Sequence, residues 1–178
     1  MKIRLGWDES KRLANLAKHG LDFANTKQVL DSRYRMLQYS GVTAATPNEP
    51  EVEAALGVRI GHDWRTLCGA AEQVMARMKL QSLVITRGRD GMVAFTRRHK
   101  PADIPIFGSD QVADVTGAGD TVIATFAAAL AAGASAEDAA HLANYSGGIV
   151  VMKRGTATVS QQELLQALDQ SPPAIRAH

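Results

Sequence analysis

"DVTGAGDT", Asp114 to Thr121, is followed directly by "VIATFAAALAAG", an alanine-rich apolar run that reads as a buried helix. Small residues at Gly117, Ala118 and Gly119 let backbone N–H groups come close to a ligand, and the helix behind them aims its positive dipole end at the same spot. Together they form an anion hole suited to a phosphate in transfer. A carboxylate at that helix start, Asp120, is stabilised in its charged form and can accept a proton from an attacking hydroxyl. An ordinary helix N-cap after a turn accounts for the same letters, since Asp is a favoured cap and Gly-Ala-Gly is common turn material.

Around this stretch the chain alternates strand and helix patterns. "VTAAT" reads as a short buried strand, and "PNEPEVEAALG" as a helix start with Asn48 as N-cap, Glu51 three residues later and Gly57 as stop. A helix is expected over Trp64–Met78. Strands are expected in "SLVITRG", "GMVAFTR", "ADIPIFG" and "QVADV", and helices over Asp120–Ala132, Ala136–Met152 and Gln161–Asp169. Ser135 with Asp138, and Ser160 with Glu163, have capping-box spacing. Such alternation argues for an α/β layered fold. The tail "QSPPAIRAH" is expected to fray.

Composition narrows the function classes. The 178 residues are 46% hydrophobic, yet no apolar run reaches the roughly eighteen residues of a membrane span. The opening "MKIRLGWDESKR" has no apolar core of a signal peptide, and the single cysteine, Cys68, excludes an internal disulfide; a cytoplasmic location is expected. The five histidines have no metal-ligand spacing. Net charge is +2, but residues 1–35 carry eight Lys/Arg against four Asp/Glu, so the excess of base sits at the start.

"DVTGAGDT" resembles the C-terminal signature of the ribokinase-like (PfkB) family of sugar kinases. The resemblance implies a three-layer α/β/α sandwich with a parallel-rich central sheet and ATP near the glycine loop. It makes Asp120 the catalytic base, Gly117, Ala118 and Gly119 the anion hole, and Asp114 with Thr116 part of a monovalent-cation (K+) site. "TPNEPEVEAALG" is similar to the family's Asn-x-x-Glu element, implying that Asn48 and Glu51 organise Mg2+ through water; from spacing alone they are equally a capping pair. "VITRGRDG" resembles the strand and turn that touch nucleotide phosphate and ribose, implicating Thr86, Gly88 and Gly91; without that context it is a hairpin turn. "HLANYSGGIVVMKRGTATVS" resembles the adenine-side helix and its following loop, with Asn144 beside the base and Gly155 approaching the cation, although Asn144 alone reads as a satisfied helix polar group. The nearest subfamily in flavour is the bacterial heptose 7-phosphate kinases of lipopolysaccharide core synthesis.

The likeness runs from about Arg33 to Leu168. Family members are about twice as long, and the first half, which carries their sugar site, has no counterpart ahead of Arg33. "LGWDESKRLANLAKHGLDF" instead resembles the start of BrnT-type ribonuclease toxins through Trp7, Asp8, Lys11, Asn15, Lys18, His19, Gly20 and Phe23; an unrelated amphipathic helix fits the same residues. The expected organisation is therefore a toxin-like or extraneous segment over 1–32, an incomplete ribokinase-like ATP-binding domain over 33–170, and a tail over 171–178. The expected chemistry is transfer of a phosphoryl group from ATP to a sugar hydroxyl, impaired without the sugar half. The rivals are a non-catalytic nucleotide-binding or interaction module and an RNA-directed toxin fragment. Expected partners are ATP, a sugar phosphate where the other half is supplied, and a second copy of the chain through uncovered sheet edges; nucleic acid and membrane are not expected.

Overall fold

The computed structural model describes residues 43–108, 117–153 and 157–170. The toxin-like opening, the expected strand "QVADV" and the fraying tail lie outside the described residues.

Strand β1 (Ala44–Ala45) leads into helix α1 (Glu49–Leu56). The capping box forms: Asn48 Oδ1 accepts the Glu51 N–H at 2.8 Å, and the Glu51 carboxylate accepts the Asn48 N–H at 2.9 Å. Gly57 ends the helix at φ 68°, a left-handed conformation that glycine adopts without a Cβ penalty. Helix α2 (Trp64–Met78) starts at Asp63, whose carboxylate accepts the Arg65 N–H at 3.0 Å and the Thr66 hydroxyl at 2.5 Å. These bonds, the Thr66 hydroxyl first, hold the Asp63 pKa below its ordinary value. Leu67, Ala70, Ala71, Val74 and Met78 form its buried face at helical spacing.

Strands β2 (Ser82–Thr86) and β3 (Met92–Thr96) follow, joined by a 3-10 turn over Gly88–Asp90, and then β4 (Ala102–Ile104). The sheet order is β1-β2-β3-β4; β1 and β2 are parallel, while β2–β3 and β3–β4 are antiparallel. The parallel-rich expectation therefore does not hold for the described strands. A connection as short as the one after β2 can only return antiparallel, whereas the two helices between β1 and β2 allow a parallel crossover. β4 stops at Ile104 because Pro105 has no N–H for the ladder.

Helices α3 (Ala118–Ala131), α4 (Ala136–Val151) and α5 (Gln161–Asp169) complete the fold. Side chains alternate across the sheet. Leu83, Ile85, Val93 and Phe95 pack with Val52, Leu67 and Val74 of α1 and α2. Val84, Met92, Ala94 and Ile104 pack with Phe126, Ala129, Ala139, Ala140 and Ala143 of α3 and α4. The result is helix, sheet, helix, the three-layer arrangement expected from the sequence. No helix among the described residues is long and apolar enough to cross a membrane.

Two caps differ in detail. Ser160 and Glu163 form the full reciprocal box at α5. At α4, Ser135 Oγ accepts the Asp138 N–H at 3.1 Å, but the Asp138 carboxylate bonds back to the Ser135 hydroxyl at 2.6 Å. Asp is one methylene shorter than the Glu of a full box, so its reach ends at the side chain.

Helix α5 is tied to the end of α4 by Lys153, whose Nζ lies 2.6 Å from the Glu163 carboxylate and donates to the Thr158 carbonyl at 2.7 Å. The Lys153 contact, with the Ser160 N–H and hydroxyl, lowers the Glu163 pKa from 4.5 to about 2. A depressed carboxylate pKa adds stability that is complete above the unfolded value and disappears as pH falls through the folded one. Glu163→Gln should therefore melt below the wild type at neutral pH. The gap should narrow below about pH 4.5 and close near pH 2. Thermal melts of both proteins across that range check this; a gap that persists at pH 2 would mean packing, not charge, carries the effect.

Candidate functional site

The carboxyl ends of the parallel strands β1 and β2 open onto a cleft of about 440 Å3. Open α/β sheets place ligands at this end of their parallel strands. Asn48 and Thr86 are brought side by side by an extension of the β1–β2 pairing, with the Thr86 N–H on the Pro47 carbonyl at 3.0 Å. The first turn of α3 enters the cleft through Ala118 and Gly119, and the middle of α4 closes another side through Asn144, Gly147 and Gly148.

Of the residues singled out in sequence, Asn48, Thr86, Gly88, Gly91, Ala118, Gly119 and Asn144 line this one cleft. Asn144 is buried and donates through Nδ2 to the Pro105 carbonyl at 2.8 Å, so it is a satisfied core amide that also borders the cavity. Gly117 caps α3 at φ 81°, and α3 begins at Ala118, two residues earlier than the sequence pattern suggests. Asp120 is therefore not the cap. It is an exposed residue of the first turn and does not line the cleft, so the N-cap alternative falls to Gly117. Glu51 also lies off the lining, with one carboxylate oxygen on the Asn48 N–H. Asp114, Thr116 and Gly155 lie outside the described residues.

Sequence reading did not nominate the apolar wall formed by Met92, Ile106, Val122 and Val151, nor Gly147 and Gly148. The two glycines had a signal. A glycine inside a helix costs about 1 kcal/mol against alanine, so an adjacent pair implies close approach of another group. A Cβ on Gly148 would land on the Phe107 carbonyl oxygen, and one on Gly147 would come within 2.9 Å of Val122. Gly91 is similar: at φ 78° its missing Cβ leaves room for Ile104 and, 2.7 Å away, the Ile106 nitrogen.

Arg87 fixes the turn that forms one lip. It is largely buried, pairs with Glu49 at 2.8 Å, donates to the Gly61 carbonyl at 3.1 Å and lies 3.7 Å from Asp90. Among the described residues no carboxylate lines the cleft, and no cluster of three or more His, Cys, Asp or Glu could cage a bare metal ion. Asn48 and Glu51 remain chemically able to hold a magnesium ion through water, because Glu51 keeps one carboxylate oxygen free of the cap. Cys68 is half-buried, and burial, reinforced by Glu72, pushes its thiol pKa up, away from nucleophilic use.

The sequence from residue 9 to 163 matches the model of the pfkB family of carbohydrate kinases. The chain belongs to this family. It is 47% identical over 131 residues to the bifunctional protein HldE of Pelobacter propionicus, covering 74% of this chain and 26% of that protein. Against HldE of Geobacter metallireducens the figures are the same. The chain thus spans about a quarter of the length of these relatives. Its fold superposes on an Arabidopsis thaliana ribokinase complexed with ribose and ATP at a TM-score of 0.68 and 25% identity, covering 74% of this chain and 42% of that one. It also superposes on Escherichia coli phosphofructokinase-2 in complex with potassium at 0.65 and 17%, covering 77% and 43%. The pfkB-type chain therefore has ribokinase-like structural neighbours, as its glycine loop implied.

Gly148→Ala should destabilise the protein by about 1–3 kcal/mol, the usual cost of overpacking, despite the better helix propensity of alanine. Gly119→Ala, also helical but with no atom of the described residues within 4 Å of the new Cβ, should be neutral or stabilising by up to about 1 kcal/mol. Denaturant titrations of the pair check whether the Phe107 approach controls the difference.

Proposed function

We propose that this chain carries the nucleotide-holding part of a sugar kinase of the heptose-phosphate type, which moves the γ-phosphoryl group of ATP to a sugar hydroxyl. The observation that supports this best is the meeting of Asn48, Thr86, Gly88, Gly91, Ala118, Gly119 and Asn144, from four separate stretches, around one cavity. The Met92, Ile106, Val122 and Val151 wall suits an adenine ring, with Asn144 at its edge. The first backbone N–H groups of α3, at Ala118 and Gly119, have no acceptor within the helix and suit phosphate oxygens. Asp120, one residue further, takes the proton of the acceptor hydroxyl as its oxygen bonds to phosphorus and ADP leaves.

Magnesium, when bound, neutralises phosphate charge, with Asn48 and Glu51 holding it through water. Asp114, Thr116 and Gly155 are assigned to a monovalent cation on the family resemblance alone. Residues 1–32 are assigned to a toxin-like or extraneous segment on the same kind of ground. Transfer is slow where no acceptor-binding residues accompany the nucleotide-holding part. Placing the acceptor supplies roughly 7–11 kcal/mol of barrier reduction in a complete site.

A second reading, a nucleotide-binding module without catalysis, is favoured by the exposure of Asp120 away from the cleft lining. Asp120→Asn separates the two. The sugar-kinase reading expects ATP–Mg binding by calorimetry to persist, stability to fall by no more than about 1 kcal/mol of helix-dipole interaction, and ADP release with heptose 7-phosphate to drop about 10²–10⁴-fold. Intact ATP binding with no heptose-dependent ADP release by either protein would establish the second reading, and release that Asp120→Asn leaves unchanged would remove Asp120 as the base. No saturation of the wild type at millimolar ATP would remove both.

A further inference from the structure

We infer that Arg89 is the side-chain cation that grips the polyphosphate of the nucleotide, and so sets preference for nucleotides by phosphate number. This rests on the nucleotide reading of the cleft.

Two arginines flank Gly88, and the structure uses them differently. Arg87 is largely buried, and its guanidinium is consumed by Glu49, the Gly61 carbonyl and Asp90. Its charge is neutralised inside the fold, and its work is to hold the turn against α1. Arg89 is exposed, lines the cleft and has no ion pair or hydrogen bond among the described residues. The cleft has no carboxylate among its described lining residues, and Arg89 is the one charged residue among them.

An uncompensated guanidinium has a planar fork of donors that matches phosphate oxygens, and it retains its charge at any working pH. The turn that carries Arg89 is rigid at both ends. Arg87 anchors one side, and Gly91 is wedged against the Ile104–Ile106 backbone on the other. The turn thus places the root of the exposed Arg89 side chain at the cleft. The α3 N-terminus supplies neutral backbone donors, so Arg89 is the group whose contribution should scale with ligand charge.

The alternative use of an exposed arginine beside an apolar wall is stacking on the base. The two uses differ in what they predict. A phosphate contact strengthens from adenosine through AMP and ADP to ATP, and salt weakens it; a stacked guanidinium acts equally on all four.

The test is titration of adenosine, AMP, ADP and ATP into wild type, Arg89→Ala and Arg89→Lys, at low and high salt. Arg89 is exposed and has no partner among the described residues, so all three should fold alike, which thermal melts verify. Lys100→Ala, an exposed cation in the β3–β4 connection at the other end of β3, controls for overall charge. The expected result is a loss of roughly tenfold or more in ATP affinity for Arg89→Ala, little loss for adenosine, partial recovery in Arg89→Lys, and a smaller gap at high salt. Equal losses for adenosine and ATP, losses matched by Lys100→Ala, or wild-type affinity in Arg89→Ala would each overturn the assignment while leaving the nucleotide site standing. Failure of the wild type to bind any of the four would overturn the nucleotide reading itself.

Discussion

Two-sided burial of the β2–β3 hairpin is the constraint on which the rest of the structure depends. Leu83, Ile85, Val93 and Phe95 serve one core, and Val84, Met92 and Ala94 serve the other. Because side chains alternate with period two, a slip of one residue in the pairing of Leu83 with Phe95 would exchange the two sets. Large residues would then meet the alanine-rich faces of α3 and α4, and small ones would leave voids against α2. The register is therefore held by packing on both faces at once, and the turn at the end of the hairpin inherits that precision.

The cleft depends on a second device, close approach of backbone to backbone. The segment from Ile104 to Phe107 runs between two glycines, Gly91 on the hairpin and Gly148 on α4, each without the Cβ that would block it. Asn144 completes the clamp through its bond to the Pro105 carbonyl. Three elements distant in sequence thus meet on one short stretch of chain. That meeting sets the position of Ile106 and brings the middle of α4 level with the first turn of α3. The glycines cost helix propensity at Gly148 and conformational freedom at Gly91, and the closeness of packing offsets it.

Charge divides along the same lines. Arg87 and Glu49 neutralise each other where the turn meets α1, and Lys153 with Glu163 does the same where α5 meets α4. Both pairs sit at joints between elements and hold local geometry. The described lining of the cleft has no acidic side chain, and the first turn of α3 and Arg89 both border it.

Local signals were legible in the sequence wherever the chain satisfies its own backbone nearby. Asn48 with Glu51, Ser160 with Glu163, and Gly57 mark helix ends whose hydrogen bonds close within a few residues, and α2 and α5 fall where the pattern put them. The glycine loop together with the collinear stretches around Asn48, Thr86 and Asn144 pointed to the family and hence to the layered fold, since the loop alone reads equally as a turn before a helix. Only the tertiary structure decided the strand directions of the sheet, the apolar wall of Met92, Ile106, Val122 and Val151, and the roles of Gly147 and Gly148. It also decided which arginine pairs inside the fold, Arg87, and which borders the cleft, Arg89. Each of these depends on what a residue meets across the sheet or from another helix, and partners far apart along the chain leave no periodicity in the sequence to announce them.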